Sequence, residues 1–267
     1  MSPKKPGQAS RNLTIYELDG VVREYAEPPA SLHIGEKAVL ERIAEEITDV
    51  RILDIGVGGG RTTPNLIQFS RDYIGIDYSG AMIAACKSKY PETVFFQCDA
   101  REMESNLEGS FGFIFFSFNG IDCVNHRERQ EILEQTFSLL EPGGLFFFCS
   151  HNMNVTPDKP WSRKLYKWDN LSLTFAKNIY GIATNILNYL RNFSAQSKEQ
   201  NHAMWVDIGH EFRTLHYYVQ PRDQIRVLQK KGFRDIRVFD GGGQLRSPSE
   251  PSLQRTAHVY YLARKPV

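Results

Sequence analysis

Residues 51–61 read Arg-Ile-Leu-Asp-Ile-Gly-Val-Gly-Gly-Gly-Arg, a short apolar run followed at once by glycines at 56, 58, 59 and 60. No other stretch constrains the fold as strongly. An apolar run of this length bounded by glycines is the pattern of a strand buried on both faces, which belongs in a parallel sheet covered by helices on either side. Glycines placed directly after such a strand let the backbone turn and approach a ligand with no Cβ in the way, which is how α/β proteins hold nucleotide-like cofactors. The spacing is acidic-x-Gly-x-Gly-x-Gly, with Asp54 as the acid. Arg61 stands where the dinucleotide fingerprint has its third glycine. That departure points away from NAD and toward S-adenosylmethionine; a tight strand–helix turn without a ligand is the alternative.

From 51 to 150 strand and helix patterns alternate. RILDIG is the first strand, and a helix is expected over Thr62 to Ser70, with Pro64 in its first turn. DYIGID (72–77) is the second strand, and Ser79 caps a helix over AMIAACKSKY. TVFFQCD (93–99) and FGFIFFSF (111–118) are the third and fourth strands. Arg127 to Leu140 is helical, with Ile132, Leu133, Phe137 and Leu140 at helical spacing; EPGG (141–144) is a turn and LFFFCS (145–150) the fifth strand. The tail resumes the alternation, with a helix from Pro221 to Lys231 ending at Gly232 and strands at 234–240 and 257–264. The first of these strands alternates in polarity and should be less buried.

The exception is 151–219. It carries Pro157, Pro160, Trp161 and Trp168, a helix expected near Leu173 to Asn192, a polar stretch SAQSKEQNH (194–202) and an extended segment HEFRTLHYYV (210–219). It is too long for a simple connection and too aromatic for a disordered linker. Inserted after the fifth strand, it should lie over the carboxyl ends of the strands, where open α/β sheets bind ligands.

The 267 residues suffice for one large α/β domain with an elaborated insertion. A net charge of +1 gives no general attraction to nucleic acid or a membrane surface. No apolar run approaches the roughly 18–20 residues that span a bilayer. The first ten residues have no apolar core of a secretory signal and are expected to be flexible. Cys86, Cys98, Cys123 and Cys149 form no C-x-x-C pair and read as reduced thiols, so a cytoplasmic location is expected.

Two acids extend the glycine signal. Asp77 ends the second strand about twenty residues past the glycines, where a carboxylate accepts from both ribose hydroxyls, although it could equally cap the helix after it. Asp99 ends the third strand in QCDAREM, a place suited to recognising an adenine amino group with Ala100 and Arg101 along the ring; a turn or N-cap aspartate is the alternative.

With these pieces in order, the chain resembles a class I S-adenosylmethionine-dependent methyltransferase. The resemblance rests on LDIGVGGGR, YIGIDYS, FFQCDAREM, FGFIFFSFNGID and LLEPGGLFFFCSHN, spanning about 45–152, and extends to the closing helix and strand pair. It implies a seven-stranded sheet with the last strand antiparallel, and cofactor contacts at Asp54, Gly56, Gly58, Asp77, Tyr78, Asp99, Ala100 and Ser117. Val57, Met82 and Arg101 complete the expected set. REYAEPPASLHIGE (23–36) could fold over the cofactor with Tyr25 as a contact.

The acceptor is harder to read. After the fourth strand stands Ser117-Phe118-Asn119-Gly120, not the Asn/Asp-Pro-Pro-Tyr/Phe motif associated with methylation of exocyclic amines on nucleic acid. Where the acceptor is a hydroxyl a general base helps. The candidates are His151, directly after the fifth strand, and His210 and His216, expected to share one face of an extended segment with Phe212, Thr214 and Tyr218. Each could instead pack the insertion. A zinc site on these histidines would need a third ligand that the sequence does not supply, so no metal is expected. Asn119, Asn152, Trp161, Tyr217 and Tyr218 are the substrate-binding candidates; with Tyr166, Trp168 and Trp205 the aromatic ones could equally form a small satellite core.

The expected architecture is α/β, a doubly wound, seven-stranded, mostly parallel Rossmann-like sheet with a helical, aromatic cap after the fifth strand. Residues 1–44 would cover the cofactor site, 45–150 and 220–267 would form the Rossmann-like domain, and 151–219 the cap. The expected activity is methyl transfer from S-adenosyl-L-methionine to a small-molecule or glycan acceptor, on a hydroxyl, by a monomer or homodimer with no nucleic-acid or membrane partner. The alternatives are N-methylation of a small amine, a non-catalytic cofactor-binding protein and, disfavoured by Arg61, an NAD-dependent oxidoreductase.

Overall fold

A computed structural model describes residues 8–27, 31–166 and 172–267. Trp168 and the first seven residues lie outside them. The strands are β1 (Ile52–Ile55), β2 (Tyr73–Asp77), β3 (Val94–Gln97), β4 (Phe111–Phe116), β5 (Leu140–Asn152), β6 (Ser197–Lys198), β7 (His202–Val206), β8 (Leu215–Val219), β9 (Arg234–Phe239) and β10 (His258–Arg264). The helices are α1 (Gln8–Tyr16), α2 (Asp19–Ala26), α3 (Ile34–Arg42), α4 (Ala44–Ile47), α5 (Thr63–Leu66), α6 (Gly80–Lys89), α7 (Met103–Asn106), α8 (His126–Leu139), α9 (Ser172–Phe193) and α10 (Pro221–Lys230).

Strands β3, β2, β1, β4 and β5 run parallel in that order. β10 pairs antiparallel with β5, and β9 with β10. These seven strands form the mostly parallel Rossmann-like sheet with its antiparallel last strand. The strand order reverses between β1 and β4, and that switch point opens a crevice at the strands' carboxyl ends.

Both faces are covered because the strands are apolar on both faces. Leu53, Ile55, Ile114, Phe116, Phe146 and Phe148 pack with Ile132 and Leu133 of α8 and Leu228 of α10. The alternate residues Ile52, Phe113, Phe115 and Phe147 pack with Val39, Leu40 and Ile83 of α3 and α6. Each such side chain contributes about 1.5–3 kcal/mol by leaving water.

The sheet differs from expectation in strand count. Ten strands are present among the described residues, because β8, β7 and β6 continue it from the insertion. β4 ends at Phe116, opposite Phe148 of β5, while β5 runs on to Asn152. Tyr218 and Val219 of β8 then pair with His151 and Asn152. His151 also pairs with His258 of β10, so β8 takes the lane that β4 vacates. The polar stretch 194–202 supplies β6 and the turn into β7.

Three local expectations are corrected. The EPGG turn lies inside β5, where Gly143 takes a φ of +83° and the register with β4 shifts. The helix expected over Thr62 to Ser70 ends at Leu66, after which Phe69 turns to accept from the Asp49 amide at 2.9 Å. His210, Glu211 and Phe212 are not extended: their φ values of 46°, 59° and 62° reverse the chain before β8. Such residues cost about 1–2 kcal/mol each. The turn is held by the Asn188 amide on the Glu211 carbonyl, the Asn192 amide on the Phe212 carbonyl and complete burial of Phe212.

The insertion has its own small core of Tyr189, Met204, Val206, Phe212, Leu215, Tyr217 and Val219. α1 ties it to the rest of the molecule, since the buried Asn12 amide donates to both the Leu215 and Cys123 carbonyls at 2.9 Å.

Candidate active site

A cavity of about 820 Å³ lies over the switch point, walled by the glycine loop, the ends of β2 to β5, α1 and α2, and the start of β8. The glycines face it because nothing larger fits. A Cβ on Gly56, whose φ is +66°, would stand 2.8 Å from the Phe116 ring; one on Gly59 would stand 2.4 Å from the Tyr25 carbonyl oxygen. α2 therefore rests directly on the loop, and Tyr25 lines the cavity above Gly58.

Asp77 closes the floor of this end. Its carboxylate accepts from the Gly58 and Ser79 amides at 2.9 Å each, so it fastens the glycine loop to the start of α6. An ionised carboxylate has about four acceptor positions, and two remain for a ligand. Burial pushes Asp77 up to about 6, against those two amide bonds. Val57, Tyr78, Met82, Asp99, Ala100 and Ser117 also line the cavity. The Tyr78 hydroxyl is buried with no hydrogen-bond partner among the described residues. Burial works to raise Asp99, but bonds from the Arg101 side chain and amide outweigh it and hold Asp99 below the usual carboxylate range.

Two expected cofactor residues lie elsewhere. Asp54 sits beneath the loop, fully buried, accepting from Thr62 Oγ1 at 2.5 Å and Tyr73 Oη at 2.8 Å. It braces the turn rather than walling the cavity, and burial lifts it to about 7 against those bonds. Arg101 turns away, bound bidentately to Asp99 and also to Glu128.

The other end of the cavity is rich in imidazole. Five of the seven histidines line it: His33, His151, His210, His216 and His258. His151 is the most constrained. Asp122, wholly buried, accepts from the His151 amide at 2.7 Å and lies 2.9 Å from its Nδ1. Its other oxygen accepts from Ser150 Oγ at 2.8 Å and faces Arg129 Nη1 at 3.3 Å. With Nδ1 thus committed as a donor, His151 Nε2 is left as an acceptor on the cavity side. Asn119 Nδ2 lies 3.4 Å from it and 2.8 Å from His258 Nδ1. Burial, then the neighbouring His151, lower His258 to about 4 and keep it neutral.

Asp207, in the loop after β7, gathers a second group. One oxygen accepts from the Tyr218 hydroxyl at 2.9 Å and lies 2.8 Å from His216 Nδ1; the other accepts from the Gly209 amide. Burial disfavours both charges, but the pair's mutual attraction outweighs it, holding His216 well above and Asp207 well below their usual ranges. His210 packs edge-on to Tyr16 with ring centres 5.1 Å apart and lies 3.4 Å from Tyr25 Oη. His210 and His216 thus share the cavity without sharing an extended face.

Of the expected substrate residues, Asn119 and Tyr218 line the cavity. Tyr217 points to the opposite face of β8, onto His126 Nδ1 at 2.7 Å and under Arg129. The Asn152 amide is spent on the Leu253 and Thr256 carbonyls. Trp161 is exposed against Tyr189, and Trp205 packs on Tyr218. Three residues escaped sequence reading. Asp122 stands in the quoted FNGID motif, three positions after Asn119, and could have been weighed. Asp207 follows a strand that polar flanks concealed, and His258 meets His151 only through strand register.

Residues 52–144 match the methyltransferase-domain family. Among curated proteins the chain is 25% identical over 121 residues to an uncharacterized methyltransferase of Synechocystis sp.; the alignment covers 44% of this chain and little more than half, 56%, of that protein. Among solved structures, the CcbJ methyltransferase of Streptomyces caelestis superposes with a TM-score of 0.60 at 15% identity, over 94% of this chain and 98% of that one. The 1,6-didemethyltoxoflavin-N1-methyltransferase of Burkholderia thailandensis, solved with its substrate and S-adenosylhomocysteine, gives a TM-score of 0.57 at 12% identity, over 100% of this chain and 93% of that one. At these identities the likeness establishes the fold.

Proposed function

We propose, for a chain whose residues 52–144 match the methyltransferase-domain family on a Rossmann-like sheet, that it transfers the methyl group of S-adenosylmethionine to a hydroxyl of a small-molecule or glycan acceptor. The observation that carries this reading is His151: its Nδ1 is held by Asp122, and its Nε2 opens into the cavity that the glycine loop and Asp77 also wall.

The residues present suit the cofactor. The glycine loop borders the cavity, and at Gly58 a Cβ would meet only the Tyr25 ring, at 3.5 Å; the Tyr78 hydroxyl is buried without a hydrogen-bond partner among the described residues, and Asp77 keeps acceptor positions for the ribose hydroxyls. Asp77 and Glu24 around the cavity suit a cationic sulfonium. When bound, S-adenosylmethionine supplies the methyl group and leaves as a thioether. The chain's part is positioning and proton removal. Tyr25 and α2 shield the adenosyl end from water. Asp122 fixes the imidazole, and His151 Nε2 would take the proton of the acceptor hydroxyl. We assign α1 and α2 to the cover, 45–150 and 220–267, with α3 packed on the sheet, to the catalytic domain, and 151–219 to the acceptor cap.

No helix among the described residues is long and apolar enough to cross a membrane; with four cysteines free, the cytoplasm is the compartment this reading favours. The test is titration of ligand-free protein with S-adenosylhomocysteine, with NAD as control, followed by an acceptor screen in His151→Gln. Retained S-adenosylhomocysteine affinity with turnover reduced about 100- to 10,000-fold is expected. NAD binding alone would refute the cofactor. Undiminished turnover in His151→Gln would favour a small-amine acceptor, which needs no strong base.

A further inference from the structure

His151, Asp207 and His216 come from the end of β5, the loop after β7 and the start of β8, and meet only in the folded chain. Their ligand-capable atoms all lie within 4.8 Å of one another, with Asp207 Oδ2 2.8 Å from His216 Nδ1 and 3.9 Å from His151 Nε2. Three ligands around a tetrahedral ion at about 2.0–2.1 Å stand about 3.3 Å apart, between those two separations. We propose that these three side chains form a binding site for a late first-row divalent cation of the zinc type, on the acceptor wall of the cavity.

The surroundings support this more than the triad alone. Two of the candidate ligands are held from behind. Asp122 takes Nδ1 of His151, leaving Nε2 for the ion, and the Tyr218 hydroxyl and Gly209 amide fix Asp207. Carboxylate or other polar partners behind metal-bound imidazoles are what orient them and set their tautomer. All three residues are buried or nearly so, yet all face the cavity, so the ion would keep open positions for water. Two imidazoles and one carboxylate suit zinc, cobalt or iron rather than magnesium or calcium, which prefer oxygen. Binding replaces the proton shared between His216 and Asp207, which leaves to solvent.

An ion here occupies the same Nε2 that would accept the acceptor proton. Metal loading and base catalysis by His151 therefore exclude each other; that consequence, though not the site itself, rests on the function proposed above.

The test uses the metal-stripped full chain, titrated with Zn2+ by calorimetry and with Co2+ by visible absorption. One equivalent of Zn2+ bound at micromolar affinity or tighter is expected, with the intense Co2+ bands of a four- or five-coordinate site. His216→Gln should weaken Zn2+ at least about tenfold, while His202→Gln, remote from the cavity, should leave it unchanged. Absence of heat together with a Co2+ spectrum no different from the aqueous ion would overturn the proposal without any variant having to fold. So would Zn2+ affinity unaltered in a folded His216→Gln protein. S-adenosylhomocysteine affinity in the same preparation separates the two readings: retained there without Zn2+ binding, it sinks only the metal site; lost while Zn2+ binds, it sinks only the transferase.

Discussion

Asp77 shows how a single side chain couples local structure to ligand chemistry. Its two bonded amides hold the glycine loop against α6, and its burial raises it to about 6. A ligand that donates ribose hydroxyls to this carboxylate prefers the ionised form. Affinity for S-adenosylhomocysteine should therefore be full above about pH 6 and fall as pH drops through it, by up to about tenfold per unit. Calorimetry across pH 4.5 to 7.5, an interval chosen to bracket about one and a half units either side of neutralisation, checks this. Asp77→Asn should bind weakly and without that slope; a wild-type affinity flat in pH would remove Asp77 from the ribose role. Asp54 makes the opposite point. It was legible as an acid beside the glycines, yet its partners Thr62 and Tyr73 lie 8 and 19 positions away, and it ends beneath the loop.

At the scale of elements, the contact between α2 and the glycine loop is the most exacting. Gly59 has no room for a Cβ because the neighbouring atoms are backbone, Tyr25 carbonyl and Ala26 Cα, at 2.4–2.6 Å. Backbone cannot rotate aside as a side chain does. Gly59→Ala should displace α2 and Tyr25, costing about 1–3 kcal/mol and speeding S-adenosylhomocysteine release. Gly20→Ala, also on α2 but with nothing within 4 Å, should be neutral or stabilising by about 0.5–1 kcal/mol. Comparison of melting and stopped-flow dissociation in the two variants decides it: equal behaviour would mean that α2 does not cover the ligand. The insertion is the other instructive element. Its aromatic content signalled packing or binding without saying which, and β8 does both by alternation: Tyr217 enters the small core with Leu215 while His216 and Tyr218 face the cavity.

For the whole molecule, the cavity draws on nearly every layer: α1 and α2, four parallel strands, the insertion and β10 through His258. A ligand bound there should stabilise the fold globally. S-adenosylhomocysteine at about 100 times its Kd should add about 2.7 kcal/mol, which for a chain of this size is a rise of about 5–11 °C in melting temperature. Differential scanning calorimetry measures it directly. A ligand-independent melt of a protein that binds by titration would mean that the cavity region unfolds separately from the sheet.

The sequence by itself determined the seven-stranded part of the sheet. Apolar strands, glycine punctuation and helix spacing are local signals, and they placed β1 to β4, α6, α8, α10, β9 and β10 within a few residues, located the core of β5 and aligned the glycines with Asp77. The glycine-loop end of the cavity was legible because its residues follow single strands at fixed offsets. Only the tertiary structure decided the histidine-rich end. Asp122 reaches His151 across 29 positions, Asn119 reaches His258 across 139 and Asn12 reaches Leu215 across 203. Those meetings depend on β8 entering the lane beyond β4 and on the register of β10 against β5. No periodicity within one segment encodes a contact between two, so Asp207 became visible as a partner of His151 and His216 only once the chain had closed around it.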